Sequence, residues 1–89
     1  MPRVDFTSHL KRYVNVEPMA VEGQTVAEVL EQLFLRFPRL RSYLLDDHGG
    51  LRQHVMIFVD AQLIADRRKQ TDSVQTDSEI FIAQALSGG

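Results

Sequence analysis

The chain has 89 residues, 44% of them hydrophobic, and a formal net charge of −2 with no cysteine. That length supports one domain with a small core and leaves little room for a deep internal active site, which weighs against a self-contained enzyme. The weak mixed charge argues against nucleic acid as a partner, and the missing cysteines exclude disulfides, thiolate metal sites and cysteine nucleophiles.

Arg3 to Ser8 alternates, with Val4 and Phe6 on one side and Asp5 and Thr7 on the other, which is a strand signal. Tyr13 to Glu17 alternates again around Val14 and Val16, so a hairpin turning at Leu10-Lys11-Arg12 is expected. Nothing in Met1-Pro2-Arg3-Val4-Asp5 resembles a signal peptide, and no apolar run approaches the ~20 residues that cross a bilayer. A cytoplasmic protein without a membrane partner is the expectation.

Thr25 to Phe37 carries the clearest helix pattern. Thr25 can cap the first turn and Glu28 completes a capping box. Val26, Val29, Leu30, Leu33, Phe34 and Phe37 then form one apolar stripe at helical spacing. Pro38 disfavours helical geometry at Phe37 and can open a second short helix through Leu44. Leu40, Tyr43 and Leu44 would pack under the sheet edge.

Asp46-Asp47-His48-Gly49-Gly50 reads as a loop, and Val55 to Val59 as a strand. Asp60-Ala61-Gln62 reads as a turn, Leu63-Ile64 as a short edge strand, and Arg67 to Ser78 as a polar surface connection. Glu79 to Ala83 is the last strand, followed by Gln84-Ala85-Leu86-Ser87-Gly88-Gly89. The order implies an α+β fold: a mixed sheet with one main helix across one face, and the first and last strands paired in the middle.

Two strands are apolar on both faces. Val55, Ile57 and Val59 oppose Met56 and Phe58, while Ile80 and Ile82 oppose Phe81 and Ala83. One helix covers one face, and an apolar second face implies a protein partner. Met56, Phe58, Phe81 and Leu86 are the candidate partner-binding residues. The alternative is that the second helix and the 61–78 connection wrap over that face.

Other constellations carry little chemistry. His9, His48 and His54 show no metal-ligand spacing, Gly49-Gly50 lacks the Lys-Ser/Thr of a phosphate loop, and no serine sits on a strand-to-helix elbow. The sharpest feature is the tail. Two glycines end a chain by chance in roughly 0.5% of cases, given ~7% glycine in average sequence. A Gly-Gly tail is slim enough to thread a narrow channel, and its carboxylate is free of side-chain crowding. An ATP-using partner enzyme could adenylate that carboxylate for attack by a sulfur or amine nucleophile.

Most of the chain resembles the small sulfur carriers of the MoaD, ThiS and CysO type. The resemblance lies in Thr25-Val26-Ala27-Glu28-Val29-Leu30, Phe37-Pro38-Arg39-Leu40, Leu51-Arg52, Val55 to Asp60, Thr76 to Ile82 and Ala85-Leu86-Ser87-Gly88-Gly89. It implies the ubiquitin-like β-grasp fold over residues 1–86 and a flexible diglycine tail over 87–89. It implies that Gly89 is adenylated by an E1-like enzyme, converted to a thiocarboxylate and used to deliver sulfur to a biosynthetic acceptor enzyme, with Gly88 and Ser87 as the tail before it. No cofactor would be bound, ATP being used by the adenylating partner. The long stretch from Phe37 to His54 points to molybdopterin- or cysteine-type members ahead of the thiamine type. Alternatives are the small subunit of molybdopterin synthase and a ubiquitin-like modifier of lysines. The chain departs from the family at Ala83-Gln84-Ala85, where a proline is common, at Thr76-Asp77-Ser78-Glu79, usually Asp-Gly-Asp-Glu, and at Asp60, usually Asn.

Overall fold

In the computed structural model, which describes residues 1–84, the helix signal of Thr25 produces α2, Val26–Arg36. The Thr25 hydroxyl accepts the Glu28 amide at 3.2 Å, and Glu28 Oε1 accepts the amide of Gln24 at 2.8 Å. The first two helical amides, Val26 and Ala27, donate to the carbonyls of Asp72 and Gln70. A distant loop therefore satisfies donors that a helix start leaves orphaned. Pro38 opens α3, Pro38–Leu44, whose Leu40 and Leu44 are fully buried and whose Tyr43 packs against the core.

The strands are β1 (Arg3–Phe6), β2 (Met19–Ala20), β3 (Val55–Val59), β4 (Gln62–Leu63) and β5 (Glu79–Gln84). They form one mixed sheet in the order β2-β1-β5-β3-β4. β1 runs parallel to β5, with Val4 beside Ile80 and Phe6 beside Ile82. β3 runs antiparallel to β5, with Val55 opposite Gln84 and Phe58 opposite Phe81. Val4, Phe6, Val55, Ile57, Ile80 and Ile82 point to the helical side and meet Val26, Val29, Leu30 and Leu33 of α2 in one core. This is the α+β arrangement expected from the element order, and the β-grasp fold that the resemblance implies.

The expected hairpin at the start is replaced by a helix. Residues 8–14 form α1, Ser8–Val14, and the strand expected over Tyr13 to Glu17 is displaced to β2, which does pair antiparallel with β1. The reasons are local. Thr7 caps the helix by accepting the Leu10 amide, Leu10 turns fully into the core, and Asn15 ends it in the left-handed conformation at φ 55°.

The 61–78 connection is also more than surface. Ile64, Gln70, Val74 and Ser78 are buried within it. Asp72 accepts the amides of Ala65 and Asp66, while Asp66 accepts those of Arg68, Lys69 and Thr71 and the Thr71 hydroxyl. The Thr71 hydroxyl and then the Lys69 amide hold the Asp66 carboxyl at about 2, below its ordinary 3.8. A depressed carboxyl stabilises the fold above its unfolded pKa and loses that contribution as pH falls through the folded one. Asp66→Asn should therefore flatten the fall in melting temperature between pH 3.8 and about 2. A variant as acid-sensitive in that window as the parent would refute the assignment.

Leu33 is fully buried beneath the sheet. Leu33→Ala should cost about 2–5 kcal/mol in urea unfolding, a large share of the ~5–15 kcal/mol that holds a domain together.

Candidate functional site

Alternation turns Arg3 and Asp5 of β1, Met56 and Phe58 of β3, and Glu79 and Phe81 of β5 away from α2. Met56 and Phe58 are half-buried and Phe81 is 40% exposed. Phe58 and Phe81 are cross-strand partners, and the residues Asp5, Pro18, Phe58, Ala61 and Phe81 line an open groove of about 620 Å³. The 61–78 connection leaves this face free because it runs to the start of α2, where Gln70 and Asp72 receive helix amides and Val74 donates to Gln24. Leu40 and Leu44 likewise pack into the core on the helical side. The structure thus gives the face an aromatic centre and a charged rim.

The rim is ordered. Asp5 Oδ1 accepts its neighbour Phe6's amide at 2.7 Å and lies 3.1 Å from Lys11 Nζ. The Phe6 amide, with Lys11 adding to it, holds the Asp5 carboxyl below its ordinary value. At the far end Asp60 and Ala61 both take left-handed φ, 50° and 69°, and turn β3 into β4. The Asp60 carboxylate accepts the Glu79 amide at 2.9 Å and the Ser78 hydroxyl at 3.0 Å; Ser78 Oγ accepts the Gln75 amide. This clamp ties the end of β3 to the beginning of β5. It also accounts for an aspartate where the resemblance has asparagine, since both side-chain oxygens accept here and an asparagine has only one acceptor oxygen.

Three of the sequence-derived partner residues, Met56, Phe58 and Phe81, share this one face. Leu86, Ser87, Gly88 and Gly89 lie outside the described residues. Gln84, the last described residue, sits opposite Val55 at the end where β1 and β5 both finish. Sequence reasoning missed Asp5 and Pro18 as rim residues, because β2 was placed too early. It also missed a row of rings on α1 and α3, His9–Tyr13 at 5.5 Å and Tyr13–Tyr43 at 5.3 Å. Among the described residues no three of His, Asp and Glu gather as a metal site would require, and no helix is long and apolar enough to cross a membrane.

A central parallel β1–β5 pair with one principal helix across the sheet is the ubiquitin-like β-grasp fold. The ThiS family model matches residues 4–89, and the chain belongs to the ThiS family. Its fold is shared with solved structures of low sequence identity. SAMP1 from Haloferax volcanii is 21% identical, with 99% of this chain and 98% of that chain covered at a TM-score of 0.79. CysO in the Amycolatopsis orientalis BexX/CysO complex is 17% identical over all of both chains at 0.85. The small archaeal modifier protein 1 of Methanosarcina acetivorans is 20% identical, covering 99% and 95% of the two chains, at 0.79. No curated protein matches the chain by sequence.

The turn that closes the groove generates a stability prediction. Ala61 holds φ 69° with a Cβ that crowds its own carbonyl. Ala61→Gly should raise stability by about 1 kcal/mol in denaturant unfolding. A loss instead would show that the turn is not strained.

Proposed function

We propose that this protein is a sulfur carrier: a protein co-substrate whose C-terminal Gly89 is activated, loaded with sulfur and discharged by other enzymes. Membership of the ThiS family, with a match running through the Ser87-Gly88-Gly89 terminus, is the observation that carries the reading. The uncovered face around Phe58 and Phe81 supports it, because a carrier without catalytic residues needs a surface by which enzymes hold it. CysO of Amycolatopsis orientalis, of the same fold, forms a complex with the protein BexX.

In this reading a Gly89 carboxylate oxygen attacks the α-phosphorus of ATP in an E1-like adenylating enzyme, and pyrophosphate leaves. A hydrosulfide-equivalent nucleophile then attacks the carbonyl carbon, the C–O bond to AMP breaks, and a thiocarboxylate remains. A biosynthetic acceptor enzyme of molybdopterin or cysteine type, ahead of thiamine type, takes the sulfur. The carrier contributes position alone: a slender terminus on a rigid strand and a docking face. A second reading, favoured by the likeness to the small archaeal modifier protein, has a lysine amine attack the same acyl-adenylate to give an isopeptide.

Incubated with its adenylating enzyme, ATP and a sulfur source, the intact protein should gain the mass of one sulfur-for-oxygen exchange at its last residue. Removing Gly89 should abolish that gain and leave the melting temperature unchanged. An unchanged mass for the full chain would sink the carrier reading, while Gly89-dependent higher-mass conjugates in cells would favour the modifier.

A further inference from the structure

We propose that Arg52 and Arg67, with His54 beside them, form a basic cleft at the root of the tail that pairs with acidic side chains around the channel mouth of the protein receiving the tail. The inference rests on the carrier reading for what docks there, and on the following geometry for the cleft itself. Arg52 Nε donates to the Ser42 carbonyl at 2.8 Å. Arg67 Nη1 and Nη2 donate to the Val55 and Arg52 carbonyls, each at 2.8 Å. Both guanidiniums are thus fixed by main-chain oxygens, which orient them without neutralising them. The ion pairs among the described residues are Lys11–Asp5 and Arg41–Glu31, so neither arginine is paired there. An arginine held this way still presents unused N–H donors in a planar fork that fits a carboxylate.

The two arginines, with Gln53 and His54, line one open trough of about 580 Å³. Asp46 also lines it; its Oδ1 accepts the amides of His48 and Gly50 at 2.8 and 3.1 Å and it keeps its negative charge near Arg52, so the two guanidiniums still leave the trough net positive. The place of this trough in the sheet names its occupant. Val55, the carbonyl that Arg67 holds, is the register partner of Gln84, so the cleft flanks the point where the chain leaves β5. Five residues follow Gln84, and they span at most about 17 Å when extended. A partner that draws Gly89 to its catalytic centre must bring the rim of its channel down over Arg52 and Arg67. A wide, solvent-open trough suits the several carboxylates of a protein rim better than one small hydrated anion. Charge complementarity of this kind acts on encounter and register rather than on the chemical step.

Gln53 is exposed and makes no hydrogen bond among the described residues, so Gln53→Glu places a negative charge in the cleft without breaking its anchors. With the cognate adenylating enzyme, ATP–pyrophosphate exchange should show KM for the carrier rising about tenfold in Gln53→Glu at low salt, with kcat unchanged. The parent's KM should climb with added salt more steeply than the variant's. A second arm needs no enzyme: 15N-labelled protein is titrated with hexaglutamate and, separately, with inorganic phosphate. Saturable shifts of the Gln53 and His54 amides with the peptide, lost in Gln53→Glu, are expected. An unchanged KM, a fall in kcat alone, no peptide response, or an equal response to phosphate would overturn the proposal. If the parent supports no exchange at all, the carrier reading fails, and the titration still decides whether the cleft binds carboxylates.

Discussion

The pairing of β1 with β5 is the constraint on which the rest depends. It is parallel, so the strands cannot be joined by a tight turn, and everything between them must serve as the crossover. α2 takes the middle of that crossover and lies across one face, where its Val26, Val29, Leu30 and Leu33 meet Phe6, Ile57 and Ile82. A single such helix covers one face and leaves the other to solvent or a partner. The same parallel pair sends the ends of β1 and β5 to one edge of the sheet, which gives the tail its starting point beside β3. The uncovered face and the point where the chain leaves β5 are therefore both outcomes of one strand pairing.

Much of this was legible in the residues. The α2 stripe, the Thr25 cap and the Pro38 break stand out because each has a short-range physical cause. β3 and β5 were legible because apolar runs of β-branched and aromatic residues leave few other choices. α1 was not. It is seven residues long, and Val14 and Val16 at its end imitate strand alternation. The signals that favour the helix, a Thr7 cap and an Asn15 stop, are weak until Leu10 has a core to enter.

For the site, the two-faced apolar character of β3 and β5 pointed correctly to Met56, Phe58 and Phe81 as neighbours. Whether that face was open turned on where the 61–78 connection goes. Its destination is set by main-chain bonds from Val26 and Ala27 to Asp72 and Gln70, which no local pattern announces. The polar composition of that segment was misleading for the same reason: Asp66 and Asp72 spend their oxygens on nearby amides, which lets Gln70 and Val74 sink inward. The tail was visible as composition, while the sulfur chemistry proposed for it came from family resemblance.

The strand order has one more consequence, in the life of the chain rather than its shape. β5 lies at the centre of the sheet yet is the last strand to be made. β1 leaves the ribosome first and must wait for its neighbour, and contacts so distant in sequence form late in folding. A nascent chain broken off before Glu79 has no middle strand and cannot build the sheet. The residues that follow β5 are thus made only after every strand of the sheet, so the order of synthesis places them on a chain that already holds all it needs to fold.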